Sequence, residues 1–277
     1  MSTFWQAGYT IHVHVNGDAG MDAVLDALET AQRAKPRFDH RFHAHHVGFH
    51  TQAQTMRLAA LGAHASVNPY YIHALAGDYA RFGLGPERAS QIVRCGSMRR
   101  AGMRVSFHSD FMMAPTEPLT LAWCAANRRT LDGRTVSPTE CLDLTTALRG
   151  ITIDAAWALR MEDEVGSIVA GKRADFAVLE DDPFELGVER LHEVRVAGTV
   201  FEGQPRMLPR PVDSVLSPRA GHGSVHGSAL PADTATRLAE HPARLRPWAR
   251  ICCGVSDRCD VIRQWAAWMG AAFSTAR

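Results

Sequence analysis

The chain has 277 residues, enough for one large domain or two ordinary ones, each with a substantial core. Its 30 basic and 29 acidic side chains nearly balance, so bulk charge gives no reason to expect nucleic acid or an anionic membrane as a partner. No apolar run approaches the roughly 18 residues that span a bilayer, and the first residues lack the basic and apolar regions of a secretory signal. We therefore expect a soluble, cytoplasmic protein.

Histidine is the residue type whose distribution is most uneven. Ten of the 14 histidines precede residue 109, and five lie between His40 and His50. Neutral imidazole is a frequent metal ligand, so this clustering favours a metal site. The six cysteines include no C-x-x-C pair. They predict neither a zinc knuckle nor a disulfide framework, which agrees with a reducing compartment.

Strands and helices alternate over the first 110 residues, a pattern typical of a parallel sheet with helical crossovers. Asn68-Pro69 ends the third strand, and we expect a long loop to start there because proline disfavours helix in the residue before it. The predicted strands cover residues 10–15, 41–47, 64–67 and 103–109, and the predicted helices cover about 19–34, 51–61 and 86–101.

The pattern changes after Asp110. The sequence Ser137-Pro-Thr-Glu140 has the form of a capping box and predicts a helix that begins there, followed by a second helix at about 152–160. Two β-type stretches, 167–179 and 194–201, predict a small β subdomain. The last segment is expected to pack on the core or on a partner chain, with a membrane-surface helix as the alternative. The predicted organisation is therefore an α/β part over 1–160, a β subdomain segment over 161–203, a flexible linker over 204–250 and an amphipathic helix over 251–277.

Candidate metal ligands stand at the carboxyl ends of three predicted strands. They are His14, His46 and Asp110, and a (β/α) barrel keeps its chemistry at this end of its strands. A buried, unpaired carboxylate is costly, so Asp110 is expected to bind a metal or take up a proton. The register of the second strand stays ambiguous, because His43 and His45 alternate with His46 and project from the opposite face.

These residues resemble the second half of a barrel of the amidohydrolase superfamily, and most closely its family 3 group. The resemblance spans about residues 7–203. It implies an α/β fold, a partial TIM-type (β/α)8 barrel of strands five to eight with part of a small flanking β subdomain. The motifs that carry it are His14-x-x-Gly17-Asp18, Arg41 followed by His46, Ser109-Asp110, and the run Gly166-Ser167, Gly171-Lys172, Ala174-Asp175 and Leu179.

The resemblance also implies roles. His14 and His46 would be the metal ligands of strands five and six, and Asp110 the aspartate of strand eight, on one or two divalent ions that are most commonly zinc. The reaction would be hydrolysis of a non-peptide carbon–nitrogen bond in a small molecule, with Asp110 as general base and then general acid. His108 could assist at the oxyanion. Three residues after strand seven would contact the substrate or simply pack, namely Tyr70, Tyr71 and His73.

The chain departs from the family pattern in two ways. His45 stands where these proteins often carry a glutamate, which would alter the groups that orient the ligands. The His-x-His pair of strand one and the lysine or glutamate of strand four also have no counterpart in the sequence. Two alternatives therefore stay open. The chain could be an inactive remnant, or an interaction module that pairs its sheet edges with another copy or with a complementing N-terminal fragment.

Overall fold

A computed structural model describes residues 1–208, so most of the predicted linker and the whole predicted helix at 251–277 lie outside the described residues. Four short strands form one parallel sheet in the order β1-β2-β3-β4. Each lies inside a strand predicted from the sequence, which confirms the alternating pattern of the first half of the chain. The strands are β1 His12–Val15, β2 His43–His46, β3 His64–Val67 and β4 Val105–Phe107.

Helices cover the connections between these strands. The predicted helix after β1 is confirmed as α2, which buries Met21, Leu25 and Leu28 at helical spacing. Thr51 begins α3 with a capping box that includes Gln54. The α-helices are α1 Ser2–Gln6, α2 Asp18–Ala34, α3 Gln52–Ala60, α4 Tyr70–Phe82, α5 Gly85–Ser90, α6 Cys95–Arg100, α7 Pro118–Asn127, α8 Leu144–Gly150, α9 Ile153–Ala158 and α10 Pro183–Leu186.

The two faces of the parallel sheet differ in chemistry. One face contributes apolar side chains such as Val15, Ala44 and Ala65 to the main core. Register partners on neighbouring strands share a face, so the other face follows from the pairing. Both faces of a parallel sheet are usually apolar, whereas this second face is lined by imidazoles and hydroxyls. Its residues are His12, His14, His43, His45, His64, Ser66 and Ser106.

The predicted long loop after Pro69 is wrong, because α4 begins at the next residue. Proline is acceptable at a helix start, where its missing N–H would have no helical partner. The side chain of Asn68 also accepts a hydrogen bond from the Tyr70 amide at 3.0 Å. Tyr70, Tyr71 and His73 therefore lie on a helix and not on a loop.

The predicted helix start at Ser137 is also wrong. Ser137 has a φ of 44°, and only the short 3₁₀ turn Pro138–Glu140 follows. The Glu140 carboxylate accepts hydrogen bonds from the amide and hydroxyl of Ser97 and does not cap its own turn. The next helix starts at Leu144 and is capped by Asp143. The predicted second helix is confirmed as α9.

Three antiparallel strands form a second sheet in the order β5-β6-β7. They are β5 Phe176–Leu179, β6 Val196–Phe201 and β7 Gln204–Met207. The last strand falls where a linker was predicted, so that prediction is wrong for residues 204–207. Glu202 and Gly203 both have positive φ, as a two-residue hairpin turn requires. Within residues 1–208, no helix has the length and apolar character needed to cross a bilayer.

Trp157, in α9, packs at the amino-terminal ends of the parallel strands. Its ring lies 4.5 Å from the Arg41 guanidinium and 4.8 Å from that of Arg104, which precede β2 and β4. The ring of His64, the first residue of β3, lies 4.5 Å away. Arg41 also forms a 2.6 Å ion pair with Glu162. The end of the sheet opposite the predicted ligands is therefore covered.

Arg128 is a fully buried arginine that ends α7 in the left-handed conformation. Among residues 1–208, its guanidinium donates only to backbone carbonyl groups, and burial lowers its pKa from the ordinary value. The donors reach carbonyls in two segments of the chain and so join the end of α7 to the connection between α5 and α6. The acceptors are Val136 at 2.9 Å, Val93 at 2.7 Å, Ile92 at 2.8 Å and Ser90 at 2.9 Å.

Candidate functional site

The predicted ligands lie at the carboxyl edge of the parallel sheet, on neighbouring elements. The ring centroids of His14 and His46 are 4.4 Å apart. His46 Nδ1 lies 3.7 Å from Asp110 Oδ2. His46 is buried, whereas the Asp110 side chain is 44% exposed. His46 therefore contacts both other candidates, and Asp110 keeps an open side toward solvent.

The backbone of β2 resolves the register ambiguity between His45 and His46. Regular alternation would place these two rings on opposite faces of the sheet. His46 and Val47 instead have φ values of 68° and 50°, a conformation that is uncommon for residues other than glycine. Both rings consequently reach His108, with centroid distances of 5.4 Å for His45 and 4.7 Å for His46. Backbone strain of this kind concentrates at functional sites.

A second layer of imidazoles lies beneath the candidate ligands. His12 Nδ1 and His45 Nε2 share a hydrogen bond of 2.7 Å. The His45 ring stacks on His108. His108 Nε2 is buried and has no hydrogen-bond partner within the part of the chain that the structure describes. A buried polar atom without a partner is uncommon, and it marks a place where a ligand or a water would be favourable.

Burial favours the neutral form of three rings at this edge, those of His45, His46 and His108. Burial lowers the pKa of His46, and the charge of Asp110 only partly opposes the shift. Burial and the neighbouring His46 lower the pKa of His108 to about 4. Burial, with His108 and His12 nearby, lowers that of His45 to about 3. Neutral imidazole is the form that binds a metal, so the protonation state suits the predicted role.

The donor set matches a divalent ion such as zinc in chemistry. Two imidazoles, those of His14 and His46, and the Asp110 carboxylate are all donors that zinc accepts. The spacing is less complete: within residues 1–208, no group of three or more His, Cys, Asp or Glu side chains has the arrangement of a formed metal site. The described part of the chain thus supplies suitable donors, but their atoms are not arranged around one common position.

Tyr71 lies between two of the candidate ligands. Its hydroxyl is 3.3 Å from His46 Nδ1 and 3.3 Å from Asp110 Oδ2. The other two predicted substrate contacts lie on the same helix. Tyr70 is half-buried, and His73 Nδ1 lies 2.8 Å from the Arg129 carbonyl oxygen, with its ring against Trp123. Contact of these three residues with a substrate stays a prediction.

The pairing of Asn16 with Gly48 was not predicted from the sequence. The Asn16 carbonyl accepts a hydrogen bond from the Phe49 amide at 2.8 Å. A β-carbon on Gly48 would collide with the Asn16 side chain. These contacts tie the loop after β1, which follows His14, to the loop after β2, which follows His46. The glycine that follows His46-Val47 is the signal that could have indicated the close approach.

Comparison with known proteins gives a consistent match. A sequence profile described as the amidohydrolase family matches residues 3–207. The chain is 31% identical over 196 residues to an N-substituted formamide deformylase of Arthrobacter pascens, an alignment that covers 71% of this chain and 36% of that protein. The chain spans between 31% and 37% of the length of the curated relatives it matches.

Solved structures match at the level of the fold. A metal-dependent hydrolase of Pyrococcus horikoshii OT3 has a TM-score of 0.54 and 22% identity, covering 66% of this chain and 36% of that one. An adenosine deaminase of Xanthomonas campestris with bound zinc has a TM-score of 0.54 and 18% identity, covering 88% and 53%. At these identities the likeness concerns the α/β architecture alone.

Proposed function

This chain belongs to the amidohydrolase family, and we propose that it forms the carboxyl-terminal half of a metal-dependent hydrolase that cleaves a non-peptide carbon–nitrogen bond. Its parallel strands would be strands five to eight of a (β/α)8 barrel. The observation that carries the proposal is the cluster at the carboxyl edge, where His46 contacts both His14 and Asp110. In barrel enzymes this edge holds the active site.

The roles follow from the positions of the side chains. His14, His46 and Asp110 would hold the ion, most commonly zinc, which when bound lowers the pKa of its water and polarises the scissile carbonyl. Asp110 has an exposed carboxylate, so it can take a proton from water and deliver it to the departing nitrogen. The neutral His108 ring could donate a hydrogen bond from Nε2 to the developing oxyanion.

The substrate is proposed to be a small molecule with an amide-like bond. The deformylase relative acts, by its name, on N-substituted formamides, and amide-like chemistry suits the donors of this edge. Tyr70, Tyr71 and His73, on α4, would face the substrate beside Asp110. The near-neutral chain, with 30 basic and 29 acidic residues, fits a cytoplasmic enzyme that binds neither nucleic acid nor membrane.

Metal binding tests the proposed site. Titration calorimetry of the full chain with Zn²⁺ should give saturable binding, and His14→Ala, His46→Ala and Asp110→Ala should each weaken it by about tenfold or more, because each removes one donor. His73→Ala is the matched control, since His73 bonds to the Arg129 carbonyl, and it should bind as the wild type does. Equal affinity and stoichiometry in all three ligand variants would refute the assignment.

A catalytically inactive remnant is the alternative, and one observation favours it. Residues 1–208 contain no group of three donors already arranged around a common point. If the wild-type chain binds no Zn²⁺ while circular dichroism shows that it is folded, the inactive remnant becomes the better interpretation.

The edges of the sheet support a further proposal about partners. Among the described residues, β1 and β4 each pair with one strand only, and the polar face between them carries the exposed His12 and His14. Open strand edges favour pairing with another chain. We propose that a second copy, or a fragment carrying the other barrel strands, pairs with the open edges of β1 and β4. The added strands would then enclose the polar face.

Light scattering after size exclusion tests the partner proposal. We expect the purified chain to run as a dimer or larger species at micromolar concentration, since two four-stranded halves supply the eight strands of a barrel. A monodisperse monomer at the same concentration would count against pairing between copies and leave only the complementing fragment, which co-expression with the matching half of a relative would test.

A further inference from the structure

Tyr71 makes contacts that a simple packing residue does not need. Its side chain is buried, with only 6% of the residue exposed. Its hydroxyl lies 3.3 Å from His46 Nδ1 on one side and 3.3 Å from Asp110 Oδ2 on the other. The ring lies parallel to that of His46, at an interplanar angle of 15°. One phenol therefore joins the candidate ligands of two different strands.

The number of protons limits how these contacts can be made. The hydroxyl has one proton to donate and an oxygen that can accept. An ionised Asp110 can only accept, so the tyrosine proton must point toward Asp110 for that contact to be favourable. The tyrosine oxygen then faces His46 Nδ1, and this contact is favourable only if Nδ1 carries the histidine proton.

We infer that Tyr71 is a positioning residue that fixes the tautomer of His46 through the chain His46 Nδ1–H to Tyr71 Oη–H to Asp110 Oδ2. This arrangement leaves the lone pair of His46 on Nε2, where an ion can use it. The inference rests on the proposed function for its purpose, but the hydrogen-bond chain itself requires no metal. A carboxylate that fixes a ligand histidine through hydrogen bonds is a common way to orient metal ligands.

The surroundings of Tyr71 agree with a fixed proton donor. The ordinary pKa of a phenol is about 10, so the hydroxyl keeps its proton at neutral pH. Its position is set by the start of α4, where Asn68 caps the Tyr70 amide at 3.0 Å and also donates to the Ser109 carbonyl at 3.0 Å. The same side chain thus connects the start of α4 with the residue before Asp110.

Tyr71→Phe tests the inference, with Tyr79→Phe as the matched control, because Tyr79 lies on the same helix and is exposed. The ¹⁵N shifts of the His46 ring, measured on the full chain without metal, should show the proton on Nδ1 in the wild type. In Tyr71→Phe we expect the population to move toward the Nε2–H tautomer, and Zn²⁺ to bind about tenfold more weakly with unchanged stoichiometry. Tyr79→Phe should leave both readouts at the wild-type value.

Two outcomes separate this inference from the proposed function. An unchanged His46 tautomer in Tyr71→Phe would overturn the inference, even if the wild type binds Zn²⁺. Failure of the wild type to bind Zn²⁺ would count against the proposed function, while a tautomer shift would still support the hydrogen-bond chain. If Tyr71→Phe does not fold, Asp110→Ala tests the chain from its other end, because the freed hydroxyl proton should then turn to Nδ1 and shift the tautomer in the same direction.

Discussion

Replacing Arg128 with methionine is expected to lower the free energy of unfolding by about 3 kcal/mol or more. Methionine matches the length of the apolar stem but donates no hydrogen bond. The carbonyls of Val93 and Ile92 would lose their contacts at 2.7 and 2.8 Å. A buried acceptor left without a donor costs about 1–3 kcal/mol, and the guanidinium serves four carbonyls. Urea unfolding followed by tryptophan fluorescence would measure the change.

The neighbouring residue provides the control for this variant. Arg129 is exposed, so Arg129→Met should change stability by no more than about 0.5 kcal/mol. Arg128→Lys should fall between the two, because it keeps the charge but not the planar fork that reaches several carbonyls. If Arg128→Met proves as stable as Arg129→Met, the carbonyl cluster does not depend on the guanidinium.

Glu140→Gln is the second variant for which a large loss is expected, about 2–3 kcal/mol. The Glu140 carboxylate is buried, accepts from the Ser97 amide at 2.6 Å, and lies 3.2 Å from Arg100 and 3.6 Å from Arg94. Hydrogen bonds to a charged group are worth about 1.5–3 kcal/mol. Glutamine keeps the shape and loses the charge, which leaves the arginines uncompensated. Chemical denaturation at pH 7 would measure the loss.

The pH dependence of this loss provides a sharper test. Burial alone would raise the pKa of Glu140, but the hydrogen bonds from Ser97 and the charges of Arg94 and Arg100 outweigh it and lower the pKa. A lowered folded-state pKa means that the stabilisation is fully present above the unfolded value of about 4.3. It is lost as the pH falls through the lower folded-state value.

The stability gap between wild type and Glu140→Gln should therefore narrow below about pH 4. A gap that stays constant down to acid denaturation would contradict this account. The control is Glu185→Gln, at an exposed position, which should change the stability by no more than about 0.5 kcal/mol at pH 7.

The strands and long helices could be predicted because their signals are local. The spacing of Met21, Leu25 and Leu28 along α2 indicates a helix without reference to any distant residue. The capping pattern at Ser137 failed for the opposite reason. Glu140 has a better partner in Ser97, 43 residues away, and no local pattern carries that information. At the start of α4 the Asn68 side chain accepts a hydrogen bond from the Tyr70 amide, and the proline between these two residues concealed this contact.

The candidate site could be predicted in part. The strand-end positions identified His14, His46 and Asp110, and the structure brings His46 into contact with both of the others. Alternation along β2 could not predict that His45 and His46 both reach His108, since this requires a left-handed backbone at His46. The insertion of the Tyr71 hydroxyl between His46 and Asp110 depends on how α4 packs, which follows from the tertiary structure and not from the sequence around it.

The covering of the amino-terminal strand ends by Trp157 has a consequence for engineering the protein. Arg41, Arg104 and His64 contact this ring. Substitutions at this end of the sheet can therefore be made without changing His14, His46 or Asp110. A library of substitutions at the residues that contact Trp157 would therefore yield variants that differ in their resistance to unfolding by heat and denaturant. Under the proposed function, a library confined to α4 and the loop that holds Asp110 would sample substrate selectivity. The two properties could then be improved in separate rounds and combined, with little expectation of interference.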